Sequence, residues 1–160
     1  MTESHTFTDS VLVEASPEAV YDVVSDVRRT GEWSPICEAC WWADGDEPGP
    51  DGPRVGGWFH GRNVAADRTW ETRSLVVAAE RGREFAWMVN GSLVSWSYTM
   101  EAEDGGTRLT ETWHFLPEGV EYFHTKYGSE APAQIDDRHR AAVSGIPVTL
   151  ARIKQIVETP

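Results

Sequence analysis

Apolar positions recur with two different periods along this chain. From Phe7 to about Leu116 they alternate in short runs, whereas from about Gln134 to Glu158 they return at steps of three and four. The first period is that of a half-buried strand and the second that of a one-sided helix. In the closing segment Ile135, Ala142, Ile146, Leu150, Ile153 and Val157 form one stripe, widened by Val143 and Ile156. Asp137, Arg140, Arg152 and Glu158 lie opposite. Acids near its start (Asp136, Asp137) and bases near its end (Arg152, Lys154) suit the helix dipole. Pro147 costs roughly 3 kcal/mol relative to alanine, but each buried Ile or Leu of the stripe is worth about 1.5–3 kcal/mol. The helix is therefore expected to persist, kinked near Val143 to Pro147. A helix with one apolar face needs a surface to lie on, and the strands before it supply a sheet.

Those strands are predicted at Thr6 to Glu14, Ile36 to Ala43, Gly57 to Val64, Thr69 to Glu80, Glu84 to Asn90, Leu93 to Ala102 and Thr107 to Leu116. Turn-forming sequences separate the later ones: Ala66-Asp67, Arg81-Gly82, Asn90-Gly91-Ser92 and Asp104-Gly105-Gly106. Such short links imply an antiparallel meander. After the first strand, Ser16-Pro17-Glu18 reads as a helix start, with Ser as cap and Pro in the first turn. That helix runs to about Asp26, and Arg28 to Pro35 forms a second short helix or turn. Asp44 to Arg54 is a polar loop, and Leu116 to Ala133 a long connection carrying Tyr122, Phe123 and Tyr127.

A chain of 160 residues with no internal linker is expected to form one domain over 1–160. The order of elements predicts an α+β fold. A strongly curved antiparallel sheet of about six to seven strands wraps a long C-terminal helix, with two short helices after the first strand. A kinked helix cannot fill the whole concave face, so a pocket is expected between helix and sheet.

Composition sharpens this picture at one point. The chain holds eight tryptophans, where common usage would give roughly two or three. Its net charge of −12 argues against nucleic acid and anionic membranes, which need clustered Lys and Arg. The N-terminal stretch Met1 to Asp9 is polar and no apolar run reaches membrane-spanning length, so a cytoplasmic location without membrane insertion is expected. No second apolar stripe on the last helix argues for a dimer, and the oligomeric state stays open.

Strand alternation assigns the inward faces. Leu109, Glu111, Trp113 and Phe115 share one face, as do Val94, Trp96, Tyr98 and Met100, then Phe85, Trp87 and Val89, then Phe59, Gly61 and Asn63, then Trp70, Thr72, Ser74 and Val76. This places Trp58 outside with His60 and Arg62. The candidate ligand-binding set is Phe59, Asn63, Trp70, Thr72, Phe85, Trp87, Trp96, Tyr98, Glu111 and Trp113 from the sheet, with Ile146 and Leu150 from the helix. An aromatic chamber with few polar groups suits a planar, largely apolar ligand. Any one of these tryptophans taken alone fits a plain core equally well.

Glu111 is the candidate catalytic residue. A carboxylate among Trp87, Trp96 and Trp113 has its pKa raised by desolvation and can act as general acid or base. The plainer reading is a structural carboxylate paired with an Arg, a Trp N–H or a backbone N–H. Asn63 would hydrogen-bond Glu111 if it sits across the chamber.

No metal or other cofactor is expected. Cys37-x-x-Cys40 has no second ligand pair at zinc spacing, His60, His114, His124 and His139 are scattered, and strand positions 37 and 40 point to opposite faces. A redox role lacks the usual strand–helix context, and no phosphate loop or nucleophile elbow occurs. Glu118 to Tyr127 reads either as a lid hinged at Gly119 and Gly128 or as an aromatic seal. The Asp44 to Arg54 loop is a second candidate for the pocket mouth.

Several stretches carry a family resemblance: Ser16-Pro17-Glu18-Ala19-Val20-Tyr21, Glu32-Trp33-Ser34-Pro35, Gly56 with the Phe59, Gly61, Asn63 alternation, Phe85-Ala86-Trp87, Thr107 to Trp113, and Thr149-Leu150 to Lys154. In this order and spacing the chain resembles the START-related helix-grip superfamily (SRPBCC), and within it the bacterial polyketide cyclase/dehydrase-like branch. The resemblance implies the helix-grip fold and a small hydrophobic partner, lipid-like or aromatic. It also admits a cyclase or dehydratase using Glu111, with Asn63 or Tyr98 orienting a carbonyl, and a co-chaperone-like interaction module.

Overall fold

The computed structural model describes residues 5–159. Seven strands form one antiparallel sheet: β1 (Thr6–Val13), β2 (Cys37–Trp42), β3 (Trp58–Ala65), β4 (Arg68–Glu80), β5 (Glu84–Val89), β6 (Val94–Glu103) and β7 (Gly106–Phe115). Their order is β1-β7-β6-β5-β4-β3-β2. From β2 onward each strand pairs with its successor, as the short turns predict. The β6–β7 link shows why: Asp104 and Gly105 adopt φ of 50° and 80° between the paired residues Glu103 and Gly106. Positive φ at both central positions matches the twist of a hairpin.

Only β1 breaks the sequential order, pairing with β7. The chain must then reach the opposite edge before β2. It does so through α1 (Pro17–Val24) and a 3-10 turn (Val27–Glu32). Ser16 caps α1, its hydroxyl accepting from Ala19 N at 3.2 Å. Val20, Tyr21 and Val24 are buried from this short helix.

The long closing helix, α3, spans Ala131–Glu158 and continues through Pro147. It begins a few residues earlier than its apolar stripe suggests. Ile135, Ala142, Ile146, Leu150 and Ile153 are buried, as the spacing requires. Its far end is fastened to the start of the chain. Lys154 Nζ donates to Leu12 O at 2.8 Å and to Glu158 Oε2 at 2.6 Å, and that carboxylate accepts from Glu14 N at 2.7 Å.

The segment after β7 differs from expectation. It is a helix, α2 (Pro117–Tyr127), followed by a single 3-10 turn into α3. Pro117 and Glu118 give it a regular N-terminus. The periodicity was masked because Gly119 alone in this helix is fully buried. A Cβ there would run into the carbonyl of Leu93 and lie 2.9 Å from the Phe115 ring, so Gly119 is a contact point and not a hinge.

The outer face resolves the exposed indole. Trp58 does face outward, but the Arg73 guanidinium lies 3.7 Å over its ring. Its neighbour His60 stacks on Trp41 at 5.6 Å. Stacking thus gives the outer aromatics partners in place of a core, although Trp41 stays exposed. No helix among the described residues is long and apolar enough to cross a membrane.

Candidate functional site

α3 packs on β1, β7, α1 and α2. Between it and the concave strands β3 to β6 lies a cavity of about 680 Å³. All the candidate ligand-binding residues lie on its wall except Leu150, which is buried in the core instead. Leu150 comes one helical turn after Ile146 and belongs to the hydrophobic core cluster. The Asp44 to Arg54 loop is also absent from the wall. Its residues are pinned elsewhere: Arg54 reaches Gly45 O at 3.0 Å and Asp46 at 3.2 Å, and Asp46 accepts from Trp58 N at 3.0 Å.

Aromatic rings line the interior in a connected series. Trp87 and Trp96, paired across β5 and β6, stack with centroids 6.3 Å apart. Phe59 meets Trp87 edge-on at 6.0 Å and Trp42 at 5.5 Å. Such offset and edge contacts are the favourable ones for aromatic rings.

Glu111 lies on this wall, only 4% exposed. Its Oε1 is buried with no hydrogen-bond partner, and no ion pair among the described residues includes it. Burial pushes its pKa up to about 8, and the Tyr98 hydroxyl is what pulls it back. At neutral pH the group is mostly a protonated acid. Tyr98, cross-strand from it, is held well above the ordinary phenol range by burial first and by Glu111 second. The Trp33 indole lies against the Tyr98 hydroxyl. Trp33 was missed as a site residue because a lone indole in a polar turn gives no periodic signal. It is 1% exposed and lines the cavity.

Asn63 does not reach Glu111. Its amide donates to Thr72 Oγ1 at 3.3 Å and approaches Trp70 O at 3.5 Å, both on the neighbouring strand.

The two cysteines also depart from expectation. A bulge between Cys37 and Ala39 interrupts the β2–β3 register. A bulge shifts the alternation by one position, so both thiols turn to the cavity with sulfurs 3.3 Å apart. Opposite them stands Gly61, where a Cβ would lie 3.4 Å from Cys37 Sγ and 3.2 Å from Thr72 Oγ1. The Cys40 thiol supports a thiolate on Cys37, lowering the pKa of Cys37 and raising its own. No group of three or more metal-ligating side chains occurs among the described residues.

At the mouth stand residues that periodicity did not single out. Arg68 begins β4, Arg138 comes from α3, and Phe123 and Tyr127 come from α2.

Residues 4–131 match the family described as polyketide cyclase / dehydrase and lipid transport. The chain belongs to this family. The polyketide cyclase/dehydrase assignment is joined by a solved relative, the polyketide-cyclase-like protein Cgl2372 from Corynebacterium glutamicum. It is 49% identical, with 96% of this chain and 91% of that one covered, at a TM-score of 0.68. The di-domain ARO/CYC StfQ from the steffimycin biosynthetic pathway shares 14% identity over 98% of this chain and 52% of that one, at 0.68. Ara h 8.0201 shares 17% over 98% and 99%, at 0.61. These last two show a common helix-grip fold. No functionally curated protein matches the sequence.

Proposed function

We propose that this polyketide cyclase/dehydrase family member binds a small hydrophobic ligand, lipid-like or aromatic, between the curved sheet and α3. The observation that carries this is the cavity of about 680 Å³ walled by Trp70, Trp87, Trp96 and Trp113. Pockets for small molecules span about 300–1,000 Å³ and are mainly apolar with a few placed polar groups. The interaction-module reading needs a closed core, and an open chamber speaks against it.

A second reading, catalysis of ring closure or dehydration, is favoured by one observation. Glu111 is a buried, protonated acid on the chamber wall, with Oε1 unpartnered and the Tyr98 hydroxyl against the carboxyl. It could hand a proton to a substrate carbonyl and take one back. Asn63 is engaged with Thr72, so Tyr98 is the group left to orient such a carbonyl.

Two measurements test these readings. The neutral dye N-phenyl-1-naphthylamine should bind stoichiometrically, and Thr72→Phe, which fills the chamber, should abolish binding while the fold persists. Failure of the dye to bind the parent protein removes the pocket reading. A model poly-β-ketothioester separates the two chemistries. Cyclisation above the uncatalysed rate that disappears in Glu111→Gln supports the enzyme. Binding without turnover supports the carrier.

A further inference from the structure

Charge is distributed unevenly around the cavity mouth. Arg62 has Glu71 at 3.2 Å and Arg140 has Asp136 at 3.3 Å, one acid for each base. Arg68 and Arg138 share a single acid. The same oxygen, Asp137 Oδ2, lies 3.4 Å from Arg68 Nη2 and 3.1 Å from Arg138 Nη1. Among the described residues, the one other hydrogen bond of either side chain runs from Arg138 to Gln134 Oε1 at 3.3 Å, a neutral partner. Arg68 Nε is buried with no partner. This imbalance stands in a chain of net charge −12. Acids are abundant, and none other than Asp137 has been placed against this pair.

Both guanidinium groups lie within cation–π reach of aromatic rings. Arg68 sits 4.3 Å over the Trp70 ring. Arg138 is 5.7 Å from the same ring and 5.3 Å from Phe123. The rings hold the two cations without consuming their N–H donors, and a guanidinium fork suits a planar anion. Arg138 is desolvated there, which together with the charge of Arg68 holds its pKa below the usual range. An anion arriving between them relieves the repulsion and supplies the missing acceptor. Summed over the three groups, two positive and one negative, the pair keeps an uncompensated positive charge, and Lys126 of α2 lines the same cavity.

We propose that Arg68 and Arg138 form a headgroup site at the cavity mouth, and that the ligand is an apolar or aromatic carboxylic acid. Its carboxylate lies between the two guanidinium groups and its body lies along Trp70, Trp87 and Trp96. This rests on the pocket reading above and adds what the ligand must carry. Inside the chamber, the protonated Glu111 is a donor for a carbonyl or hydroxyl on the buried part of the same molecule.

The test is displacement of bound N-phenyl-1-naphthylamine by dodecanoate, dodecyl phosphate and dodecanol, each below its micellar concentration. The parent protein should favour dodecanoate over dodecanol by about tenfold or more, the scale of one charge-assisted hydrogen bond. In Arg68→Gln/Arg138→Gln that preference should vanish, with dodecanol and the dye bound as before. Asp137→Asn, which removes the competing acid, should strengthen dodecanoate and leave dodecanol unchanged. Near-UV circular dichroism verifies the variants. If the double variant does not fold, Arg68→Gln alone carries the test, its side chain being 31% exposed. Equal affinity for dodecanoate and dodecanol in the parent overturns the headgroup site and leaves the pocket standing. A preference for dodecyl phosphate over dodecanoate overturns the carboxylate assignment. Absence of dye binding to the parent overturns the pocket itself.

Discussion

Tyr98 of β6 and Glu111 of β7 are cross-strand partners, and both are buried on the cavity wall. An acid in that position keeps its proton in the folded chain after the unfolded chain has released it. The sign follows directly. Burial raises the Glu111 pKa from 4.5 to about 8, so in that interval the native state binds more protons than the unfolded state. Stability from this group is therefore full below pH 4.5 and is lost as pH rises through about 8. The slope is at most about 1.4 kcal/mol per pH unit. Glu111→Gln should flatten this part of the profile and be more stable than the parent at the alkaline end. Urea titrations of both proteins between about pH 5 and about pH 8 measure it. Parallel profiles would show that Glu111 is ionised in the fold.

The Cys37 and Cys40 sulfurs, 3.3 Å apart, need little movement to reach a bonded distance of about 2 Å. With hydrogen peroxide, the Cys37 thiolate should attack one oxygen and release hydroxide, which leaves as water. Cys40 then displaces the second oxygen as water and closes a disulfide. Intact mass under non-reducing conditions should fall by two hydrogens. Cys40→Ser should stop at a dimedone-reactive sulfenic acid on Cys37. Two thiols left free after treatment would contradict the bulged geometry.

Two helical glycines should respond oppositely to alanine. Gly119 has no room for a Cβ against the Leu93 carbonyl and the Phe115 ring. Gly119→Ala is expected to destabilise by about 1–3 kcal/mol, the scale of overpacking. At Gly145 a Cβ would meet only Pro35 Cγ, at 3.5 Å, an ordinary contact. Gly145→Ala should then stabilise α3 by roughly 0.5–1 kcal/mol through helix propensity. Thermal melts of the two variants decide the matter.

Ser16→Ala removes the acceptor that Ala19 N uses at the start of α1. The expected loss is about 1 kcal/mol. Because α1 buries Val20, Tyr21 and Val24 against the core, the loss should appear in global unfolding and not only as local fraying. Amide exchange compared with the melting curve distinguishes the two.

The strand boundaries, the helix cap at Ser16, the order of the meander and the buried stripe of α3 were legible in the sequence. Each rests on local chemistry or a fixed period: alternation, a capping hydroxyl, Asn-Gly and Asp-Gly turns, steps of three and four. The same alternation put Glu111 on the inward face with its tryptophan neighbours. Tertiary structure alone decided the rest. It made a helix of the segment after β7, where a single buried glycine leaves no stripe to read. A one-residue bulge brought Cys37 and Cys40 together, and no spacing rule anticipates where a register slips. It left Glu111 Oε1 without a partner and gave Arg68 and Arg138 one acid between them, although the chain is rich in acids. Composition counts charges, but which ones meet depends on how far apart the fold holds their elements. Arg68 of β4 and Arg138 of α3 are about 70 residues apart in sequence and share no local code.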